Sequence, residues 1–421
     1  MIDQQEKQPF ITSGYLAGFI LVTSLFFLWA VANNFNDILI RQFQKALDLN
    51  RAEAGFIQFV FYLGYFLMAL PAGMLMRRFG YRAGILAGLG LYAAGAFLFY
   101  PAAELRVYGA FLAALFVIAS GAAFLETAAN PYIIAFGAPD RAPQRLNLAQ
   151  SFNGFGAFLA PILGGLFIFS GVEHSADAIG NMSPQMLDAY RASEARMVQL
   201  PYVTLGLVVL LIAGAIAFVR LPTLAQRQDE ETPATLMTVA RNKRVRRAVF
   251  AQFFYVGAQV GIWSFFVDFV KDTDPSISEK AAAFLLSGSL VLFMIGRFAG
   301  TALMHKVRPV TLLQRFAIIN ILLCALAVLL SGPGAIAALV ATSFFMSIMF
   351  PTIFALGVRD LGPDAPLGSS LLIMAIIGGA IFPPIMGGID TMLGGIHLSM
   401  LAPMLCFAVV AFYAAQEARQ S

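Results

Sequence analysis

The sequence predicts an all-α polytopic membrane protein: twelve transmembrane helices in two six-helix bundles related by an internal repeat. Three observations carry this. Of 421 residues, 59% are hydrophobic and 12% charged, with a mean hydropathy of +0.79. A soluble chain of this length needs far more charge to cover its surface. The apolar runs suit helices of roughly 20 residues crossing a core about 30 Å thick, and the alternation of a transmembrane barrel is absent. Finally, the chain repeats itself. PYIIAFGAPD at 131–140 matches PTIFALGVRD at 351–360 in five of ten positions, and GAFLAPILGG at 156–165 matches GAIFPPIMGG at 379–388 in six of ten. PAGMLMRRFGYR after the second span also echoes FAGTALMHKVRP after the eighth. Three matches in one order at nearly one offset describe parallel repeats, the plan of alternating-access transporters with a midplane site.

The spans read roughly 14–40, 54–76, 83–101, 108–137, 146–171, 199–220, 247–270, 281–304, 310–331, 335–358, 368–393 and 396–415. With the N-terminus inside, cytoplasmic loops and tails carry 18 Lys and Arg against 8 outside, with Arg297 inside a span. That bias is the positive-inside rule. It explains the pI near 9.1 without nucleic acid. The first ten residues, MIDQQEKQPF, are polar, and no cleavable signal is expected.

Span 1 holds Trp29, then Asn33, Asn34 and Asp37 at i, i+1 and i+4, a spacing that puts all three on one helix face. Span 2 is glycine-rich, as are spans 5 and 11, which allows close helix approach. Span 4 carries Glu126 and Asn130 at i, i+4. Span 5 carries Asn147, Gln150 and Asn153 at every third position. A charge at bilayer depth costs several kcal/mol even on lenient scales, and such residues usually face a protein interior or wet cavity. No Lys or Arg lies at comparable depth in the N-terminal half. Desolvation disfavours the charged form of a lone carboxylate, which suits Asp37 or Glu126 to reversible proton carriage. Each amide offers a donor and an acceptor, as a sugar hydroxyl requires. The competing use of any one amide is an interhelical hydrogen bond.

The longest polar stretch, 221–246, divides an N-terminal bundle (1–220) from a C-terminal bundle (247–421). It ends in the basic run RNKRVRR, which sets topology and meets anionic lipid headgroups. Span 7 places Gln252, Tyr255, Gln259 and Trp263 at i, i+3, i+7 and i+11, one helical stripe. That stripe serves sugar binding and helix packing equally well. Arg297 in span 8 reads as a latch at a helix end. Cys324 and Cys406 lie in apolar runs and read as packing residues. Metal-ligand spacing, a disulfide framework, a P-loop and a catalytic triad are all lacking, so no cofactor, metal or enzymatic activity is expected. At the repeat-related positions Glu126 aligns with Met346, Asn130 with Phe350 and Asn153 with Ile376. A cavity with one polar and one apolar wall follows, suited to a pyranose with hydroxyl edges and C–H faces.

LWAVANNFNDIL, AGFIQFVFYLGYFLMALPAGMLMRRFGYRAG, FLETAANPY, RLNLAQSFNGFGA and FPTIFALGVRDLG together resemble the fucose–galactose–glucose:proton symporter family of the major facilitator superfamily. The resemblance covers nearly the whole chain. It implies sugar uptake with protons across a bacterial inner membrane by a monomeric carrier. It also implies that Asp37 and Glu126 are the functional carboxylates, and Asn34, Gln150 and Asn153 the cavity amides. One departure is plain: the superfamily's loop pattern G-x-x-x-D-R-x-G lacks its aspartate here, where Gly73 leads to Arg77, Arg78 and Gly80. Sodium coupling, uncoupled facilitation and a sugar-sensing receptor remain alternatives. The short tail QEARQS argues against the receptor.

Overall fold

Without water to satisfy them, backbone N–H and C=O groups in a membrane must pair within their own segment. This chain meets that demand with helices throughout. The computed structural model describes residues 9–47, 51–167, 179, 181–222, 235–393 and 395–419. Its first helices are α1 (Leu16–Leu47), α2 (Arg51–Phe79), α3 (Tyr81–Leu105), α4 (Tyr108–Ala135), α5 (Ala142–Phe167), α6 (Pro184–Arg196) and α7 (Gln199–Phe218). After the polar stretch come α8 (Leu236–Arg241), α9 (Lys243–Ser264), α10 (Phe266–Thr273), α11 (Glu279–Leu303) and α12 (Pro309–Leu329). The last are α13 (Pro333–Met346), α14 (Met349–Val358), α15 (Ala365–Met374), α16 (Gly378–Leu393) and α17 (Leu401–Ala418).

Among the described residues ten helical runs are long and apolar enough to cross a membrane, or eleven if α9 and α10, bent by 51°, count as one span. The twelfth expected span is α5, 26 residues long. Its first half carries Gln144, Arg145, Asn147, Gln150 and Asn153, which lower its hydropathy. The one expected span that falls short by composition thus does so because it carries polar candidate residues, Gln150 and Asn153 among them.

Two local outcomes differ from the sequence expectation. The connection before α7 is helical, with Ser183 capping the Met186 amide and Pro184 in the first turn of α6. Gln42 Nε2 on α1 donates to Glu194 of α6 at 2.8 Å and fastens it to the bundle. Further on, RNKRVRR is not an extended linker end. The Asn242 side chain accepts from the Arg244 amide at 2.9 Å, so most of the run forms the first turn of α9.

Helices α1–α7 pack mainly among themselves, through α1 on α5, α3 on α4 and α7, and α2 on α4. Helices α9–α17 do the same, with α9 against α14, α16 and α17, and α12 against α13 and α17. The two groups meet where α2 packs on α15, and where α5 packs on α11 and α14. The α2–α15 approach depends on Gly73. A Cβ there would collide with Ser370 Oγ and come within 2.8 Å of the Pro366 carbonyl. Gln144 Nε2 donates to the Thr301 carbonyl at 3.2 Å, and Asn147 Nδ2 to Thr352 Oγ1 at 3.1 Å. All of these contacts lie toward the end of the molecule where α2 stops and α5 starts.

Candidate functional site

Helix α4 carries the decisive side chain. Its middle reads SGAAFLETAAN, and the small residues let α3 approach closely: Gly121 admits no Cβ against Tyr92 and Gly88. Glu126 is therefore enclosed, 8% exposed. Tyr65 of α2 donates its hydroxyl to Glu126 Oε1 at 2.9 Å and accepts from Asn33 Nδ2 of α1 at 3.1 Å. One turn along α4, Asn130 Nδ2 donates to the Glu126 carbonyl at 2.8 Å. That leaves Asn130 Oδ1 to accept from Gln150 Nε2 of α5 at 3.2 Å.

The chain then crosses between the helix groups. Arg297 of α11 is 4% exposed. Its Nη1 donates to the Gln150 carbonyl and, at 3.4 Å, to Gln150 Oε1, while its Nε donates to the Ser347 carbonyl at 3.0 Å. Its guanidinium lies 4.5 Å from the Phe293 ring centroid and beside the buried Tyr255. The positive field of Arg297 also reaches Glu126. A buried charge is tolerable only when paired and hydrogen-bonded. Arg297 makes no ion pair with Glu126 among the described residues; Asn130 and Gln150 lie between them.

The sequence placed Arg297 at a helix end, and that expectation needs correcting; the expectation that no Lys or Arg lies at the depth of Glu126 concerned the N-terminal half alone. Arg297 sits six residues before the end of α11, at the centre of the contact between the helix groups. The cation is absent from the first half of the sequence because the second half provides it. Tyr65 was missed altogether. It lies in FVFYLGYF, where aromatic composition hides the hydroxyl that meets Glu126.

The other expected residues are placed as follows. Asn34 Nδ2 donates to the Ala30 carbonyl of its own helix at 2.7 Å. Asn153, half-buried, donates to the Phe26 carbonyl at 3.3 Å and ties α5 to α1. Trp29 is fully buried with its ring centroid 4.3 Å from that of Phe26. Asp37 falls within α1, but its side chain lies outside the described residues. On α9, Gln252 is fully buried, and neither polar atom of its amide has a hydrogen-bond partner among the described residues. Gln259 is half-buried. Trp263 Nε1 donates to Ser343 Oγ at 3.1 Å, Ser343 pairs with Ser289 at 2.5 Å, and the indole packs edge-on to Phe293. Phe293 thus separates the Arg297 chain from a second polar cluster that sequence spacing had not revealed.

At the repeat-related positions Met346 and Phe350 are buried and Ile376 is half-buried. No cluster of three or more His, Cys, Asp or Glu able to hold a metal occurs among the described residues.

The family model of the Major Facilitator Superfamily matches residues 13–366. The chain belongs to that superfamily. Within it, the chain is 45% identical over 415 residues to the L-fucose-proton symporter of Escherichia coli (strain K12), covering 97% of this chain and 95% of the relative. It is 38% identical over 399 residues to a glucose/galactose transporter of Brucella abortus (biovar 1, strain 9-941), covering 94% and 93%. A crystal structure of a Major Facilitator Superfamily transporter, FucP, in the outward conformation superposes with a TM-score of 0.90 at 44% identity, covering 96% of this chain and 99% of that one. The fold is therefore the major facilitator fold, and this is a multi-pass membrane transporter of the fucose–galactose–glucose:proton symporter family.

Proposed function

We propose that the chain imports a neutral monosaccharide, a hexose or deoxyhexose such as fucose, galactose or glucose, together with protons. It works as a monomer in a bacterial inner membrane with both termini in the cytoplasm, and residues 1–220 and 247–421 rock against each other by alternating access. One observation carries the coupling: the polar chain from Asn33 through Tyr65 to the Glu126 carboxylate, and from the Glu126 backbone carbonyl through Asn130 and Gln150 to Arg297, which links the helix that carries the carboxylate to a cation of the other group.

As a carboxylate, Glu126 accepts from Tyr65 and holds the field of Arg297. Protonation cancels the negative charge and weakens that hold across the groups. Gln150, whose carbonyl and amide oxygens accept from Arg297 here, is then freer to bond a sugar hydroxyl. Asn34 and Asn153 lend further hydroxyl partners. Gln259 and Trp263, half-buried on α9, line the approach, backed by the fully buried Gln252, Tyr255 and Trp29, and the aromatic faces serve the sugar's C–H face. Asp37, four residues after Asn33, shares proton carriage and substrate sensing with Glu126. The opposite membrane face is the open one in this reading, because the contacts between groups gather at the end that carries most of the basic residues.

The test is counterflow in proteoliposomes with a panel of hexoses, deoxyhexoses and acetamido sugars. Exchange of at least one neutral hexose or deoxyhexose is expected. Failure of the entire panel would overturn the sugar assignment.

A further inference from the structure

A cavity of about 590 Å³ lies between the helix groups, lined by Phe66 of α2 and by Val249, Phe250, Phe253 and Leu371 of α9 and α15. Its lining is almost wholly apolar except for Arg246 and Arg247. These two belong to the first turn of α9 and lie about 10 Å along the helix from Phe253. The acids of this end are taken elsewhere. Asp360 pairs with Arg244 at 2.7 Å, and the buried Glu417 lies 3.8 Å from Arg244 and 3.7 Å from Arg359. Among the described residues no carboxylate pairs with Arg246 or Arg247. The helix break between Met374 and Gly378 faces the same space.

We propose that this groove seats one acyl chain of an anionic phospholipid, with Arg246 and Arg247 holding its phosphate. The chemistry matches at both ends: an apolar slot at hydrocarbon depth, and at headgroup depth two guanidinium groups with no carboxylate partner among the described residues. Arginine is suited to this because its planar fork binds phosphate oxygens in pairs. Zwitterionic lipids fill the slot equally well but lack the net charge the arginines call for. The slot also takes a wall from each helix group, so it exists as such only while α2 faces α9 and α15 in this way. The proposal rests on placing this end of the bundle at the lipid headgroups and is independent of which sugar is carried.

The experiment reads lipid contact directly. A Phe250→Trp reporter in the full chain is reconstituted in phosphatidylcholine with increasing brominated phosphatidylglycerol or brominated phosphatidylcholine. Phe412→Trp, an exposed site of similar depth on α17 outside the groove, is the control. Brominated phosphatidylglycerol should quench Phe250→Trp preferentially, by about fivefold in apparent affinity for each arginine engaged. Phe412→Trp should show no preference beyond the general attraction of a basic surface. Adding Arg246→Gln and Arg247→Gln should abolish the preference at Phe250→Trp. Equal preference at the two reporters would mean a diffuse surface effect and overturn the proposal, as would a preference that survives loss of both arginines. The two reporters decide the matter even if the arginine variants fold poorly, and a failed sugar panel leaves the result untouched.

Discussion

Two regions with one ancestry in the repeat behave in opposite ways. Around α4 and α5 the chain spends its membrane interior on Glu126, Asn130 and Gln150. At the matching places in the second half it has Met346 and Phe350, both buried. The second half answers with a single cation, Arg297, from a helix outside these aligned segments. A symmetric fold thus holds an asymmetric site. One half presents the titratable and hydrogen-bonding groups, and the other presents apolar surface and a charge that reports on them. In the proposed cycle this division would give proton binding a mechanical consequence, because Glu126 and Arg297 lie on opposite sides of the contact between the helix groups.

The largest break in that comparison is Glu126→Gln. Concentrative uptake should be lost while downhill counterflow survives, since the amide keeps the shape and an acceptor for Tyr65 but cannot carry a proton. Asp37→Asn should likewise abolish uptake driven by a proton gradient; accumulation as good as in the parent protein would remove Asp37 from the coupling machinery.

Next in size is Arg297→Met. Removing the cation leaves the buried Gln150 and Ser347 carbonyls without their donor, at a cost of about 1–3 kcal/mol for each unsatisfied group. A fall in thermal stability is expected, and the double variant Arg297→Met with Glu126→Gln should recover part of it. Additive losses in the double variant would show that the two charges do not sense each other.

Smaller again is Gln150→Ala, expected to weaken sugar binding by about 1–3 kcal/mol through an unsatisfied buried group. Met346→Ala should cost less affinity, and calorimetric titration with the transported sugar compares the two. Comparable losses would break the asymmetry between halves. The smallest effect on binding belongs to Tyr65→Phe, which deletes two hydrogen bonds, to Glu126 and from Asn33, worth about 1 kcal/mol each, but touches no group assigned to the sugar. Binding should weaken roughly fivefold with transport retained.

The fold was legible because a bilayer imposes one-dimensional rules. Segment length, the distribution of Lys and Arg, and the repeated PYIIAFGAPD and GAFLAPILGG segments each read directly from sequence. The site was legible in part. Glu126, Asn130 and Gln150 stood out as polar groups in apolar runs, and i, i+4 spacing tied the first two together. What spacing cannot give is who meets whom across helices. Tyr65 looked like any aromatic in FVFYLGYF until α2 placed its hydroxyl 2.9 Å from Glu126. Arg297 was seen as a charge in an apolar span, yet its partner lies 147 residues away in sequence. The Trp263–Ser343–Ser289 cluster was equally out of reach, joining three helices through short side chains that have no periodic signature.

The central claim is that sugar movement carries protons through Glu126. The most direct measurement adds the transported sugar to de-energised vesicles in an unbuffered medium and follows external pH. The parent protein should alkalinise the exterior as sugar enters, with sodium replaced by choline, and Glu126→Gln should leave external pH unchanged. An absolute requirement for sodium without any pH change, or alkalinisation undiminished in Glu126→Gln, would contradict the account.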